Sequence, residues 1–459
     1  MEQVNTSKSA LLAVAAVTTF MGPFMVSGVN ILIPAIGEEL AVGAVALGWV
    51  VNAYLLSTAV MLVPAAKIAD MFGRKKLFVM GIGLFTLSTV AVVAAQDIWT
   101  VIGLRICQGI GGAMISTTGI AIIAAVCPPL ERGWAIGITV TAVYTGLSTG
   151  PFVAGYLSEL WGWRSVFLVP FPLGLLAFFL AAAMIRDEWR PARGQPFDMA
   201  GTLMYGISLV FFILGLSRMP EPSGVILVIC GLCGFAMFVR HEMRTPYPVT
   251  DISLFRENRS FSFSSLAALI NYAATFAVAF YLSLYLQYIK GLTPQNAGLV
   301  LMTQPVVMAL FSPMAGRLSD RFEPAAIATL GMGMCALGLF VLAWLTPETG
   351  IPSIVATLLL LGSGFALFSS PNMNAIMSSV QPAYYGLASG TVATMRLIGQ
   401  MLSMAIATMF LAILVGDEQI TVRYHGEFLF SARLGFATFC LLCLAGMYFS
   451  FFRGSIRAG

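Results

Sequence analysis

Two arginines, Arg105 and Arg396, stand well inside long apolar stretches with no acidic residue three or four positions to either side. A guanidinium stays protonated and is costly to place in hydrocarbon, so each must face a polar cavity, the opposite part of the fold or backbone carbonyls. On a helix Arg105, Gln108 and Gly112 share one face, as do Arg396, Gln400 and Ser403. Such groups could recognise an anionic or hydrogen-bonding ligand, and they could equally serve as structural donors. No Asp or Glu falls in the central part of any apolar stretch. A carboxylate is the natural proton carrier within a membrane, and here the interiors lack one.

Other side chains could line a path for an organic ligand. Asn271 and Tyr272 are followed by Tyr281, Tyr285 and Tyr288 at i, i+4 and i+7. Phenol rings give a broad apolar surface with a polar handle, suited to amphipathic ligands, and the same pattern also suits an interfacial aromatic belt. Met25, Asn30, Arg105, Gln108, Asn271, Tyr281, Asn372, Asn374 and Arg396 are the candidates for a substrate cavity. No GxSxG, HExxH or P-loop pattern occurs, and no nucleophile, base and oxyanion donors gather in one region. Neither an enzyme nor ATP-driven transport within this chain is expected. His241 and His425 are placed in loops, and the Cys230/Cys233 and Cys440/Cys443 pairs have no polar partners, so no metal, cofactor or nucleic acid is expected.

The elements that must position these residues are membrane helices. Of 459 residues, 59% are hydrophobic and only 10% charged, against roughly 25% charged in soluble domains. Fourteen apolar stretches, from 10–36 and 46–66 to 387–414 and 429–452, are each long enough to cross a bilayer core of about 30 Å. The first is too long for a signal-peptide core and is read as a retained helix. The chain is therefore expected to be an all-α membrane protein. Of 24 Lys and Arg residues, seventeen fall on the side of the N-terminus, five on the opposite side, and Arg105 and Arg396 within helices. The positive-inside rule then places both termini in the cytoplasm, with the chain multi-pass in the cell (inner) membrane.

A repeat recurs at an offset of 250 residues. Ala66-Lys67-Ile68-Ala69-Asp70-Met71-Phe72 after the second helix matches Gly316-Arg317-Leu318-Ser319-Asp320-Arg321-Phe322 after the tenth. Each half then has six helices, with two left between them. The expected organisation is a six-helix bundle over 1–186, two inserted helices with polar flanks over 187–258, and a second six-helix bundle over 259–459.

The loop Ala66–Lys76, with Asp70, Gly73, Arg74 and Lys75, is similar to the cytoplasmic loop motif of the major facilitator superfamily, with Ala66 and Met71 departing from its usual residues. Gly137, Gly146, Gly150, Pro151 and Gly155 are spaced like that superfamily's glycine-rich antiporter motif. Arg105-x-x-Gln108-Gly109, Trp163-Arg164, Pro371-Asn372-Met373-Asn374 and Arg396…Gln400 extend the likeness over nearly the whole chain, as do Trp49 and Tyr54. The chain resembles the fourteen-helix drug/proton antiporter branch. The resemblance implies two major-facilitator bundles plus two inserted helices. It also implies a secondary transporter in a lipid bilayer that exports small amphipathic organic molecules, with protons as the coupling ion. Asp70, Gly73, Arg74, Arg317 and Asp320 would form a conformational latch between the halves. Met25 stands where the branch often has an acid, which leaves proton coupling to the resemblance alone. A carrier of an anionic metabolite and a non-transporting sensor are the alternatives.

Overall fold

The computed structural model describes residues 8–127, 129–245, 255–256, 258–380, 385–416 and 418–454, and every regular element among them is helical. The first six helices are α1 Lys8–Leu40, α2 Ala44–Phe72, α3 Arg74–Ala91, α4 Ile98–Val126, α5 Pro129–Trp161 and α6 Pro170–Met184. Then come α7 Met199–Ser217 and α8 Pro222–Glu242. The last six are α9 Arg259–Ile289, α10 Pro294–Ser319, α11 Pro324–Leu342, α12 Ile351–Ser378, α13 Tyr385–Leu414 and α14 His425–Phe452. Among the described residues thirteen helices are long and apolar enough to span a membrane, and α5, at 33 residues, is a further long helix.

Helix is the form in which a backbone can satisfy its own polar groups inside lipid. The ends are set by polar caps at the water boundary. Asp97 accepts from the Thr100 amide at 2.9 Å, Asp198 from Gly201 at 2.9 Å and Asn258 from Phe261 at 2.9 Å, starting α4, α7 and α9. The hydrogen bonds from Thr100 hold the Asp97 carboxyl below its usual range. Large apolar side chains such as Trp99, Leu87, Phe179 and Leu441 point outward, where hydrocarbon rather than water would meet them.

Within the first six helices α1 packs along α5, α2 and α3 along α4, and α6 on α3. Within the last six α12 packs against α10 and α11, α14 against α11, and α9 against α13 and α14. Helices α7 and α8 pair with each other, and α7 leans on α2 and α13, with the Tyr205 hydroxyl donating to the Ala59 carbonyl at 3.1 Å. The two groups of six meet mainly through α5 on α10, α2 on α13 and α1 on α9. We call the end that holds the α1–α2 connection distal and the end that holds the α2–α3 connection proximal.

Two placements differ from the sequence reading. His241 lies in the last turn of α8 rather than a loop, its Nε2 3.0 Å from both oxygens of Asp198. His425 opens α14. Arg453, counted among the basic residues on the side of the N-terminus, is 1% exposed. Its Nη1 donates to Asn372 Oδ1 at 2.7 Å and to Ser264 Oγ at 3.2 Å, which ties the proximal end of α14 to α12 and α9.

Candidate functional site

Arg105 is fully buried on α4. Its Nε donates to the Val50 carbonyl of α2 at 3.0 Å and its Nη1 to Gln108 Oε1 at 2.7 Å. Gln108 passes the chain on, its Nε2 donating to Thr89 Oγ1 of α3 at 2.7 Å. The guanidinium lies 4.6 Å from the centre of the Tyr54 ring of α2. One charged group therefore pins three helices together through hydrogen bonds and an aromatic face, which offsets its desolvation.

Arg396 on α13 is only partly buried and has no carboxylate pairing with it among the described residues. It sits within electrostatic reach of both Tyr54 on α2 and Tyr272 on α9. Tyr272 meets Phe365 of α12 edge-on at 5.3 Å. The Tyr144 hydroxyl of α5 lies 3.5 Å from Ser312 Oγ of α10. Tyr54 thus carries Arg105 over its ring and is within electrostatic reach of Arg396 of the other half. The Tyr54 hydroxyl is flanked by Gly22 and Gly112, where an added Cβ would come within 3.4 and 3.0 Å of it. The sequence reading had quoted Tyr54 only as a family match. The two arginines near it are 51 and 342 positions away, and no local spacing signals the pairing.

The other cavity candidates divide among separate sites. Met25, Asn30 and Asn271 are buried. Tyr281 lies inside the second half, its hydroxyl donating to the Ala407 carbonyl at 3.0 Å and lying 3.3 Å from Ser431 Oγ, with Phe436 and Phe428 against its ring. Asn372 belongs to the Arg453 cluster, and Asn374 donates to Ser319 Oγ at 3.0 Å. A cavity of about 700 Å³ lies between α1, α5 and α6, lined by Phe20, Thr141, Thr145 and Leu173 among others, and none of the nine candidates borders it. The structure brings Arg105 and Gln108 together, and it sets Arg396 across Tyr54 from them.

The proximal loop is held by its own residues and by the segment that follows the first six helices. Asp70 accepts from Arg74 Nε at 2.7 Å, and Lys67 donates to Gln195 at 2.9 Å. The Glu188 carboxylate accepts from the Lys75 and Lys76 amides at 2.9 and 3.3 Å, an anion seated on the start of α3. Gly73 has φ +130°, and a Cβ there would meet the Glu188 carboxyl at 2.5 Å. Arg317 is exposed, and the side chain of Asp320 lies outside the described residues.

Gly137 is placed on α5, with its surroundings likewise outside the described residues. The rest of the glycine face is a close-contact surface. A Cβ at Gly146 would lie 2.6 Å from the Phe20 carbonyl, and one at Gly150 would lie 2.7 Å from that of Phe24 and 2.1 Å from Ser27 Oγ. Beyond Pro151 the face turns to the other half, where a Cβ at Gly155 would meet the Pro294 carbonyl at 2.4 Å. The α5 glycines therefore seal α1 on one side and the distal end of α10 on the other.

The family model described as Major Facilitator Superfamily matches residues 15–404 and 264–455. The chain belongs to the major facilitator superfamily. Among curated relatives, it is 27% identical to "Riboflavin transporter RibZ" of Clostridioides difficile, covering 97% of each chain. It is 31% identical to "Multidrug resistance protein Stp" of Mycobacterium tuberculosis, covering 86% of this chain and 75% of the relative. A third relative is the "Tetracenomycin C resistance and export protein" of Streptomyces glaucescens, 26% identical over 84% and 72%. Among solved structures, the inward-facing, unoccupied bacterial homolog of the human lysosomal transporter Spinster superposes with a TM-score of 0.71 at 16% identity, over 99% and 97% of the two chains. The peptide transporter POT in complex with alafosfalin also gives 0.71, at 14% identity over 95% and 93%. These likenesses show the major-facilitator fold. The chain is thus a multi-pass membrane transporter of that superfamily.

Proposed function

We propose that this chain is a secondary active exporter of small amphipathic organic compounds, in the manner of multidrug efflux, working by alternating access between two halves. The units are 1–186 and 259–459, with 187–258 supplying α7 and α8. The carrying observation is the α5 glycine face, which lets α1 slide close on one side and closes on α10 at the distal end on the other. Two relatives whose names specify resistance or export point the same way. The distal end faces the outside of the cell membrane, both termini lie in the cytoplasm, and protons are the coupling ion. Tyr54, Tyr272 and Tyr144 offer aromatic faces at the seam, and Arg396 offers a guanidinium, which together suit a flat amphipathic ligand. Asp70 and Arg74 act with Arg317 and Asp320 as a proximal latch that engages when the distal end opens.

A second reading has one specific observation behind it. Arg396 faces the seam with no carboxylate against it, which favours an anionic or neutral ligand over a cation. Counterflow in proteoliposomes with cationic, neutral and anionic aromatic ligands, with and without an imposed proton gradient, tests both. Gradient-driven efflux of a neutral or anionic compound supports the proposal. Absence of counterflow for every ligand class would reject transport itself.

A further inference from the structure

Most helical hydroxyls in this protein fold back onto their own helix. Thr18, Ser88, Thr89, Thr275 and Thr408 each donate to the carbonyl four residues earlier. Ser283 of α9 does otherwise. Its Oγ crosses to the other half and donates to the Asn30 carbonyl of α1 at 2.6 Å, with both residues buried.

The reason that carbonyl is available lies four residues further along α1. In a helix the carbonyl of residue 30 accepts from the amide of residue 34, and residue 34 is a proline inside α1. Asn30 therefore presents a carbonyl that its own helix cannot satisfy, in surroundings where an unpaired polar group is costly. Gln287, one turn beyond Ser283, reinforces the contact. Its Nε2 donates to the Ile31 carbonyl at 3.1 Å and to Ser283 Oγ at 3.0 Å. Ser283 thus accepts from Gln287 while it donates to Asn30. Gln287 sits within the π-helical turn Tyr285–Ile289, where one extra residue re-aims the side chains.

We propose that Pro34 creates, and Ser283 with Gln287 fills, a distal gate that holds the closed-outside state. Ser283 and Gln287 are positioning residues of the transport cycle. When α1 and α9 part, the Asn30 carbonyl loses its donor and must take up water, whereas the rest of α1 keeps its hydrogen bonds. The contact therefore contributes energy that differs between states, which is what a gate requires. The inference rests on the proposed rocking of the halves.

Hydrogen–deuterium exchange on the full-length protein in nanodiscs reads the gate without needing a substrate. Ser283→Ala should raise exchange at residues 37–44 and 286–292 by roughly three- to tenfold, the population shift that one lost hydrogen bond gives. Ser283→Thr, which keeps the hydroxyl, should restore it. Pro34→Ala gives the Asn30 carbonyl a partner in its own helix, so adding Ser283→Ala in that background should change exchange little. The proposal is overturned if Ser283→Ala has no effect, or if its effect is the same with and without Pro34. Transport failure for every ligand would reject the exporter reading, and the exchange cycle would still decide the gate.

Discussion

Arg105 lies on the fourth helix of the first half and Arg396 on the fifth helix of the second, each followed by a glutamine on the same helical face, and the fold uses them differently. Arg105 is fully buried, shared between Val50, Gln108 and the Tyr54 ring. Arg396 is partly open and lies at the seam between Tyr54 and Tyr272. A buried charge shared between a carbonyl, a glutamine and an aromatic ring is a fixed joint, whereas a charge at a seam with no counter-ion among the described residues is open to whatever enters. The same residue type is thus buried scaffold in one half and partly open in the other. Tyr54 links the two, since its ring supports one guanidinium while the other acts on it from across the seam.

The largest effect should come from Arg105→Gln. It leaves the Val50 carbonyl without its donor and disturbs the Gln108–Thr89 link, so thermal unfolding in detergent should show a loss of roughly 2–3 kcal/mol. Activity toward all ligand classes should fall together with abundance. A variant of normal stability that loses only anionic ligands would reverse the assignment of the two arginines.

Arg396→Gln should leave the unfolding temperature within a degree or two, because few contacts are lost. Transport of an anionic ligand should fall about tenfold relative to a neutral analogue of similar size, equivalent to about 1.4 kcal/mol of lost attraction. Equal loss for both ligands would remove Arg396 from recognition.

Tyr54→Phe keeps the ring beneath Arg105 and should therefore leave stability unchanged. Tyr54→Leu removes the ring and should cost about 1 kcal/mol of stability, the scale of one cation–π contact. Comparing the pair by thermal unfolding separates the ring's supporting role from any role of the hydroxyl at the seam, which would appear only as a change in transport by Tyr54→Phe.

The smallest effect belongs to a charge far from both arginines. Burial raises the Asp198 carboxyl, but the Gly201 amide and His241 outweigh it and leave the group below its ordinary value. A depressed acid stabilises the fold above its unfolded value, and that contribution is lost as pH falls through the folded one. Hydrogen exchange at the start of α7 should therefore rise on acidification through the low carboxylate range. Asp198→Asn should flatten that dependence while leaving ligand selectivity untouched.

The sequence by itself determined that the chain is all-helical and membrane-spanning. Lipid admits so few backbone forms that runs of about 20 apolar residues already dictate the answer. It also determined the duplication, through the matching loops at 66–72 and 316–322, and the close-packing face of α5, because small residues at helical spacing declare themselves locally. The tertiary structure alone decided what each polar residue does. Tyr281, a candidate ligand contact by its spacing, has its hydroxyl against Ala407 and Ser431, and Arg453 is buried on Asn372. Tyr54 came under Arg105 and within electrostatic reach of Arg396, two arginines that are 291 positions apart in the chain. Helical periodicity fixes which side chains share a face. Which partner that face meets depends on contacts between helices distant in sequence, and Ser283 filling a carbonyl that Pro34 left open in another helix is one such contact.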